Sequence, residues 1–224
     1  MRRVWRSSSG QRDAARTSGA DGLATDLLWL AAMRCWWNAV RDDGCAEVAA
    51  ALARLAPMAS SPRLLLARAY AAPPSRAAEL IDEVTTSAVD ASGPEAMWLL
   101  GNAVHILGGF DLASTLLRSA AAGLRTEGRL GPLARVLSLQ AWADAHLGRW
   151  ATAGQAADEA QRLADETAQP VWQAGATLCR ALLRAAAGDH GTARDLLEDA
   201  HGLATATGAR FIQATVQHAR GFAA

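Results

Sequence analysis

Histidine is the side chain in this sequence best suited to metal binding or proton transfer. There are five, namely His105, His146, His190, His201 and His218. None belongs to an HExxH motif or to an i, i+4 histidine pair, the spacing that lets a helix hold zinc. His105 and His146 occupy almost equivalent places in consecutive sequence units, so they could face one groove. We interpret them as hydrogen-bonded groove or surface residues and expect no metal and no cofactor.

Adjacent carboxylates could serve as a general acid and base. The sequence has three such pairs: Asp158 with Glu159, Asp165 with Glu166, and Glu198 with Asp199. Arginines at 162, 194 and 210 are interleaved with them, which favours solvated helix faces carrying i, i+4 ion pairs. GxSxG is absent, and GxxxxGK[ST] cannot occur because the chain has no lysine. We therefore expect no catalytic residue and no enzyme activity.

Composition narrows the class of protein further. Hydrophobic residues make up 51% and charged residues 20%, and 22 basic groups balance 22 acidic ones. Such a chain is globular and has no net field to attract nucleic acid or anionic lipid, so we expect neither partner. No apolar run reaches the ~18 residues of a spanning helix. Cys35, Cys45 and Cys179 are odd in number and form no CxxC, so we interpret all three as free thiols in a reducing cytoplasm.

The elements that must position these residues are helices. Alanine, leucine and arginine dominate from residue 24 onward, and no segment alternates long enough to indicate a strand. The sequence predicts an all-α fold. Residues 1–22 lack periodicity and are rich in serine and arginine, so we expect them to form a disordered leader.

Three similar segments recur at a fixed distance. LGGFDLASTLL (107–117), LGRWATAGQAA (147–157) and AGDHGTARDLL (187–197) align without a gap at a forty-residue spacing. A period of this length indicates stacked helical hairpins, because one hairpin cannot bury its apolar face alone. We expect each glycine to turn the chain at positive φ, each ring to cover the turn, and each alanine to allow close helix packing. The predicted turn and packing residues are Gly108, Phe110, Ala113, Gly148, Trp150, Ala153, Gly188 and Ala193.

Residues 97–120 resemble a tetratricopeptide repeat. The matching skeleton is Leu100, Gly101, Gly108, Phe110, Ala113 and Ala120. The next two units have Ala141 and Ala181 in place of Gly101, and the period exceeds the thirty-four residues of the standard motif. The resemblance implies a right-handed α-solenoid of antiparallel hairpins, about five hairpins plus a terminal helix. Its parts would be degenerate hairpins over 23–92, three repeats over 93–209, and an incomplete repeat over 210–224.

The segment DLLWLAAMRCWWNAVRDDG, followed by these hairpins, resembles the helical middle region of the large ATP-binding regulators of the LuxR family, often described as MalT-like. That resemblance implies a cytoplasmic, non-catalytic sensor arm between an ATPase and a DNA-binding domain. Its partners would be neighbouring regulator domains and a protein or small-molecule inducer. ATP hydrolysis and DNA binding carry over to no residue here.

First-helix residues of tetratricopeptide repeats line a concave face that binds extended segments or small molecules. By that resemblance the candidate binding residues are Trp98, Asn102, His105, Ser138, Trp142 and His146. Two alternatives stay open. A neighbouring domain could simply cover these residues, or the chain could be a free-standing scaffold that holds a partner peptide on its concave face.

Overall fold

The structure, a computed structural model, describes residues 22–37, 43–55 and 61–221. Within these ranges every regular element is helical and no strand is present, so the prediction of an all-α chain is confirmed for them. The predicted leader lies outside the described residues except for Gly22, and so do the last three residues of the predicted incomplete repeat.

Eleven α-helices follow one another along the described chain. Their bounds are α1 22–37, α2 Asp43–Leu55, α3 Pro62–Ala71, α4 Ala77–Val89, α5 Pro94–Ile106, α6 Phe110–Thr126, α7 Leu130–His146, α8 Trp150–Glu166, α9 Pro170–Ala186, α10 His190–Ala206 and α11 Arg210–Arg220. A short 3₁₀ turn, Pro74–Arg76, joins α3 to α4. The helices α3, α5 and α9 begin with proline, whose fixed φ suits the first helical position.

From the end of α5 onward, the corners between helices recur every twenty residues, which is half the forty-residue period found in the sequence. A residue with positive φ stands at each of the six corners, namely Gly108, Gly128, Gly148, Ala168, Gly188 and Gly208. At the corner after α7, the N–H of Gly148 donates to the Ala145 carbonyl at 3.1 Å, and the N–H of Arg149 donates to the Asp144 carbonyl at 2.9 Å. This pair of bonds satisfies carbonyls that the helix end would leave open, so the corner is a structural cap.

Helices pack on their neighbours in sequence. From α5 to α10 each helix contacts the next along much of its length, and the odd-numbered helices α3, α5, α7, α9 and α11 also contact one another in order. One buried cluster runs from α3 through α9, and a second joins α9, α10 and α11. The odd-numbered helices therefore form one layer, against which α6, α8 and α10 pack.

Small residues stand where these helices approach each other. The three alanines at the repeated position, Ala113, Ala153 and Ala193, are fully buried. The rings that precede them differ: Phe110 is half-buried, whereas Trp150 and His190 are exposed. The prediction that each ring covers its turn therefore has support only in the first unit, since the rings that begin α8 and α10 are exposed.

The cysteines differ from the expectation of three free thiols. Cys35 and Cys45 form a disulfide that links α1 to α2, so that expectation was wrong for these two residues. Cys179 is free and buried in α9, and burial raises the pKa of its thiol to about 12. No described helix is both long and apolar enough to cross a membrane.

Candidate functional site

Aromatic side chains and one arginine connect the odd-numbered helices. Arg135 on α7 stacks between Trp98 on α5 and Trp172 on α9, its Cζ lying 5.0 and 5.3 Å from the two ring centroids. Tyr70 on α3 and Phe211 on α11 lie near each other, since both rings contact Trp36 of α1. We call these five residues the aromatic seam. Each belongs to a different odd-numbered helix, so the seam marks the face that these helices share.

The end of α1 packs on this seam. Trp36 contacts Tyr70 and Phe211, with ring centroids 5.9 and 4.8 Å apart. Trp37 meets Trp172 edge-on at 5.7 Å and Phe211 at 6.2 Å. The two adjacent tryptophans point in different directions along α1, yet both find aromatic partners, because α3, α9 and α11 surround the end of the helix. The protein's own first helix thus covers much of the seam.

Three of the predicted binding residues lie in or beside the seam and are largely enclosed. The Asn102 amide is buried and donates to the Tyr70 hydroxyl at 3.1 Å. Ser138 is buried and donates to the Ala134 carbonyl of its own helix at 3.0 Å. Trp98 is half-buried, and its indole N–H is buried without a hydrogen-bond partner. These residues hold the face together and leave little surface for a ligand.

The other three predicted residues form a stack at the carboxyl ends of α5 and α7. The Phe110 ring lies between the two histidines, 5.8 Å from His105 and 4.4 Å from His146. Trp142 follows on the other side of His146 at 4.9 Å. The expectation that His105 and His146 share one groove fits this geometry, because the Phe110 ring contacts both imidazoles.

The two histidines differ in environment. His105 is partly exposed, but its Nδ1 is buried without a hydrogen-bond partner. Desolvation, reinforced by the nearby charge of His146, lowers the pKa of His105 to about 4. His146 is exposed, and its Nδ1 lies 2.9 Å from the Trp142 carbonyl oxygen. A carbonyl only accepts, so Nδ1 carries the proton and Nε2 is the acceptor of the neutral ring.

A cavity of about 260 Å³ opens beside this stack. Trp142, His146, Trp150 and His218 supply its rings, and Leu182 with Ala145, Ala185 and Ala186 supplies its apolar wall. We call it the indole pocket. Its walls come from the last turns of α7, α9 and α11 and from the first residue of α8. Trp150 is 53% exposed, the most open tryptophan of the described chain, and it stands at the mouth.

Trp150 also borders a wider groove of about 560 Å³ between α8 and α9. Asp158, Arg180 and Arg184 line this groove, and Arg180 pairs with Asp158 at 3.3 Å. The groove and the indole pocket share Trp150 and Ala186. An aromatic, apolar pocket and a charged groove thus meet at a single exposed indole.

A buried carboxylate on α7 was not predicted from the sequence. Asp144 on α7 is 0% exposed and accepts a 2.6 Å hydrogen bond from the Ser114 hydroxyl on α6. Arg149 and Arg118 approach the same oxygen at 3.5 and 3.7 Å. The sequence feature that could have indicated its burial is a single acidic residue within the mostly apolar segment LSLQAWADAHL. Enclosed by side chains of this protein, Asp144 fastens α6 to α7.

The paired carboxylates behave as surface charges, but their partners differ from those expected. Glu159 binds Arg125 of α6 at 3.0 Å, Asp158 pairs with Arg180 of α9, and Glu198 binds Arg220 of α11 at 2.7 Å. These ion pairs join neighbouring helices, whereas the expected i, i+4 pairs with arginines 162, 194 and 210 do not form in the described residues. No group of three His, Cys, Asp or Glu side chains in the described chain is arranged to hold a metal ion.

Comparison with known proteins adds no further constraint. No protein-family model matches the chain, and no curated protein is similar to it.

Proposed function

We propose that this chain is a non-catalytic interaction and sensor module built from tetratricopeptide-like hairpins, and that the indole pocket is its binding site. The observation that carries the proposal is the exposed Trp150 at the mouth of an aromatic, apolar cavity. Transfer of a large indole ring from water into contact with a ligand is favourable, so an exposed tryptophan beside a cavity suits a binding site. Concave apolar pockets with a few polar groups are the usual sites for ligands.

The proposed architecture is a right-handed α-solenoid. Its support is the contact pattern: α5, α7, α9 and α11 touch in order, and α5, α7 and α9 each also pack on the helix that follows. A twenty-residue repeat of identical caps turns the chain by a similar amount at every corner. Stacked units of this kind give an extended surface with separate sites along it.

We further propose that the module is the sensor arm of a MalT-like regulator of the LuxR family. The outer side of α1 supports contact with another domain, since Leu23, Leu27 and Leu30 are exposed at i, i+4 and i+7 spacing. Such an apolar stripe is typical of a contact surface. The genomic reading frame tests this point: an ATPase domain upstream and a helix-turn-helix domain downstream, in frame, are expected, and an unrelated domain in either place would contradict it.

The second candidate function is a scaffold for a partner peptide on the face of the odd-numbered helices. One observation favours it: the aromatic seam already accommodates the tryptophans of a helix, Trp36 and Trp37 of α1. A partner helix with similar rings would have to displace the end of α1. This candidate and the indole pocket place the ligand on different tryptophans, so one experiment separates them.

That experiment is photo-crosslinking in cells of the source organism. Benzoylphenylalanine replaces Trp150 in one variant and Leu130 in the control, since both residues are exposed and begin a helix. A discrete adduct from position 150, absent from position 130, is expected if the indole pocket is the binding site. Replacement of Trp36 tests the scaffold. An adduct from position 36 alone, or identical adducts from 150 and 130, would contradict binding at the pocket.

A further inference from the structure

The indole pocket brings together three helix ends of the same polarity. Trp142 and His146 belong to the last turn of α7, Leu182 and Ala186 to the last turn of α9, and His218 to the last turn of α11. The carboxyl end of a helix carries about half a negative charge, which favours a cation placed within a turn of it. Only one helix amino end, that of α8 at Trp150, opposes them.

The side chains that line the pocket suit a cation as well. Trp142 and Trp150 offer indole rings, whose electron-rich faces attract cations more strongly than those of other aromatic side chains. Neither an arginine nor a carboxylate lines this pocket. A cation therefore meets no fixed charge of its own sign, provided that the two histidines are neutral.

The kind of cation follows from the lack of a carboxylate and from the state of the backbone carbonyls at these helix ends. Those of Ala145, Ala185 and His218 each already accept a hydrogen bond from the N–H of a corner glycine. A primary ammonium has three N–H donors, each of which costs free energy if it leaves water without finding an acceptor. The pocket offers ring nitrogens and apolar carbon but no carboxylate to meet that demand. A quaternary ammonium has no N–H donor, and its methyl groups fit apolar and aromatic walls.

We propose that the indole pocket binds a trimethylammonium group, so that this module senses a small quaternary ammonium compound. The inference rests on the proposed function, because it names the ligand class of the same site. The cavity of about 260 Å³ has room for one such head group.

The test compares choline with 3,3-dimethylbutan-1-ol, which has the same shape with carbon in place of nitrogen, and with ethanolamine, its primary ammonium analogue. Binding is followed by tryptophan fluorescence at pH 8, above the ordinary titration range of imidazole, with ionic strength held constant. Choline is expected to bind at least about tenfold more tightly than either analogue. Trp150→Leu should remove this preference, whereas Trp150→Phe should retain part of it and Leu130→Ala should leave it unchanged.

Each other outcome overturns the inference. Equal binding of choline and its carbon analogue, both weakened by Trp150→Leu, would mean an apolar pocket that does not select for charge. Tighter binding of ethanolamine would show that the pocket satisfies N–H donors. Absence of binding by all three, while crosslinking still occurs at position 150, would reject the ligand class and leave the proposed site in place. Circular dichroism of each variant checks that it is folded.

Discussion

The hydroxyl of Ser114 on α6 donates a 2.6 Å hydrogen bond to the carboxylate of Asp144 on α7, and the carboxylate has no contact with solvent. The two residues are thirty positions apart and join neighbouring hairpins. Arg149 and Arg118, both exposed enough to be hydrated, reach the rim of this pair. The carboxylate is therefore buried, whereas its arginine partners are solvated. Loss of the Ser114 donor should consequently lower the free energy of unfolding.

Replacement of Ser114 by alanine should lower the free energy of unfolding by about 2 kcal/mol, because the buried carboxylate loses its shortest hydrogen bond. Urea denaturation measures the change. Thr115→Ala is the matched control, since this exposed hydroxyl donates only to a carbonyl of its own helix, and its effect should stay within about 0.5 kcal/mol. Equal effects of the two substitutions would contradict the role given to Asp144.

Ala168 has φ of 51° at a corner where the five equivalent positions are glycine. A left-handed conformation costs an alanine about 1 kcal/mol relative to glycine. Ala168→Gly should therefore raise the free energy of unfolding by about 1 kcal/mol. Ala187→Gly is the control: Ala187 is in the right-handed region at the next corner, so glycine should only destabilise there. Thermal unfolding compares the two, and a destabilised Ala168→Gly protein would show that the corner does not tolerate glycine.

Two helical glycines should respond to alanine in opposite ways. A Cβ at Gly101 would lie 2.9 Å from Cγ of Leu117, which overpacks the contact between α5 and α6. A Cβ at Gly154 would lie 3.8 Å from Cδ1 of Leu183, an ordinary contact. We expect Gly101→Ala to cost about 1 kcal/mol after the gain in helix propensity, and Gly154→Ala to stabilise by about 0.5–1 kcal/mol. Urea denaturation of both variants settles the comparison, and the same sign for both would be inconsistent with this packing.

His105 should make stability depend on pH. Its pKa in the folded protein is about 4, below the 6.5 of an unperturbed imidazole, so the unfolded chain binds the proton more readily between these values. The contribution of the neutral ring is complete above pH 6.5 and is lost as pH falls towards 4, by about 2–3 kcal/mol. Denaturation from pH 4 to 7 should show this slope, and His105→Phe should flatten it.

His190→Gln serves as the control for that series, because it also removes one imidazole but does so at an exposed position outside the core. A slope that persists in His105→Phe would assign the pH dependence to other groups.

The glycine corners made the hairpins predictable, because glycine is favoured at positive φ and leaves a periodic mark in the sequence. The twenty-residue period was hidden by Ala168, which takes the same conformation without being glycine. A helix cap of this kind requires a positive φ, and glycine is the usual residue with a positive φ but not the only one. The sequence therefore revealed every second corner clearly and the intervening ones only in part.

Contacts between distant segments could not be predicted. Trp37 meets Trp172 and Trp36 meets Phe211, and no local pattern connects residues so far apart. These contacts enclose part of the face that seemed available for binding. The disulfide was missed for a similar reason, since pairing of Cys35 with Cys45 depends on how α1 lies beside α2 and not on a CxxC spacing. Trp142 and His146 were predicted as binding candidates and both line the cavity, whereas Trp150, which also lines it, was predicted as a packing residue.

The most direct test of the central claim is fluorine NMR of the protein labelled with 5-fluorotryptophan, titrated with a small-molecule extract of the source cells. Trp142, Trp150 and the tryptophans of the seam are assigned by single replacement with phenylalanine. Binding at the indole pocket predicts that the signals of Trp142 and Trp150 shift while those of Trp98 and Trp172 stay in place. If the signals of Trp36 and Trp172 shift while that of Trp150 stays in place, binding at the indole pocket is contradicted and the ligand lies on the aromatic seam.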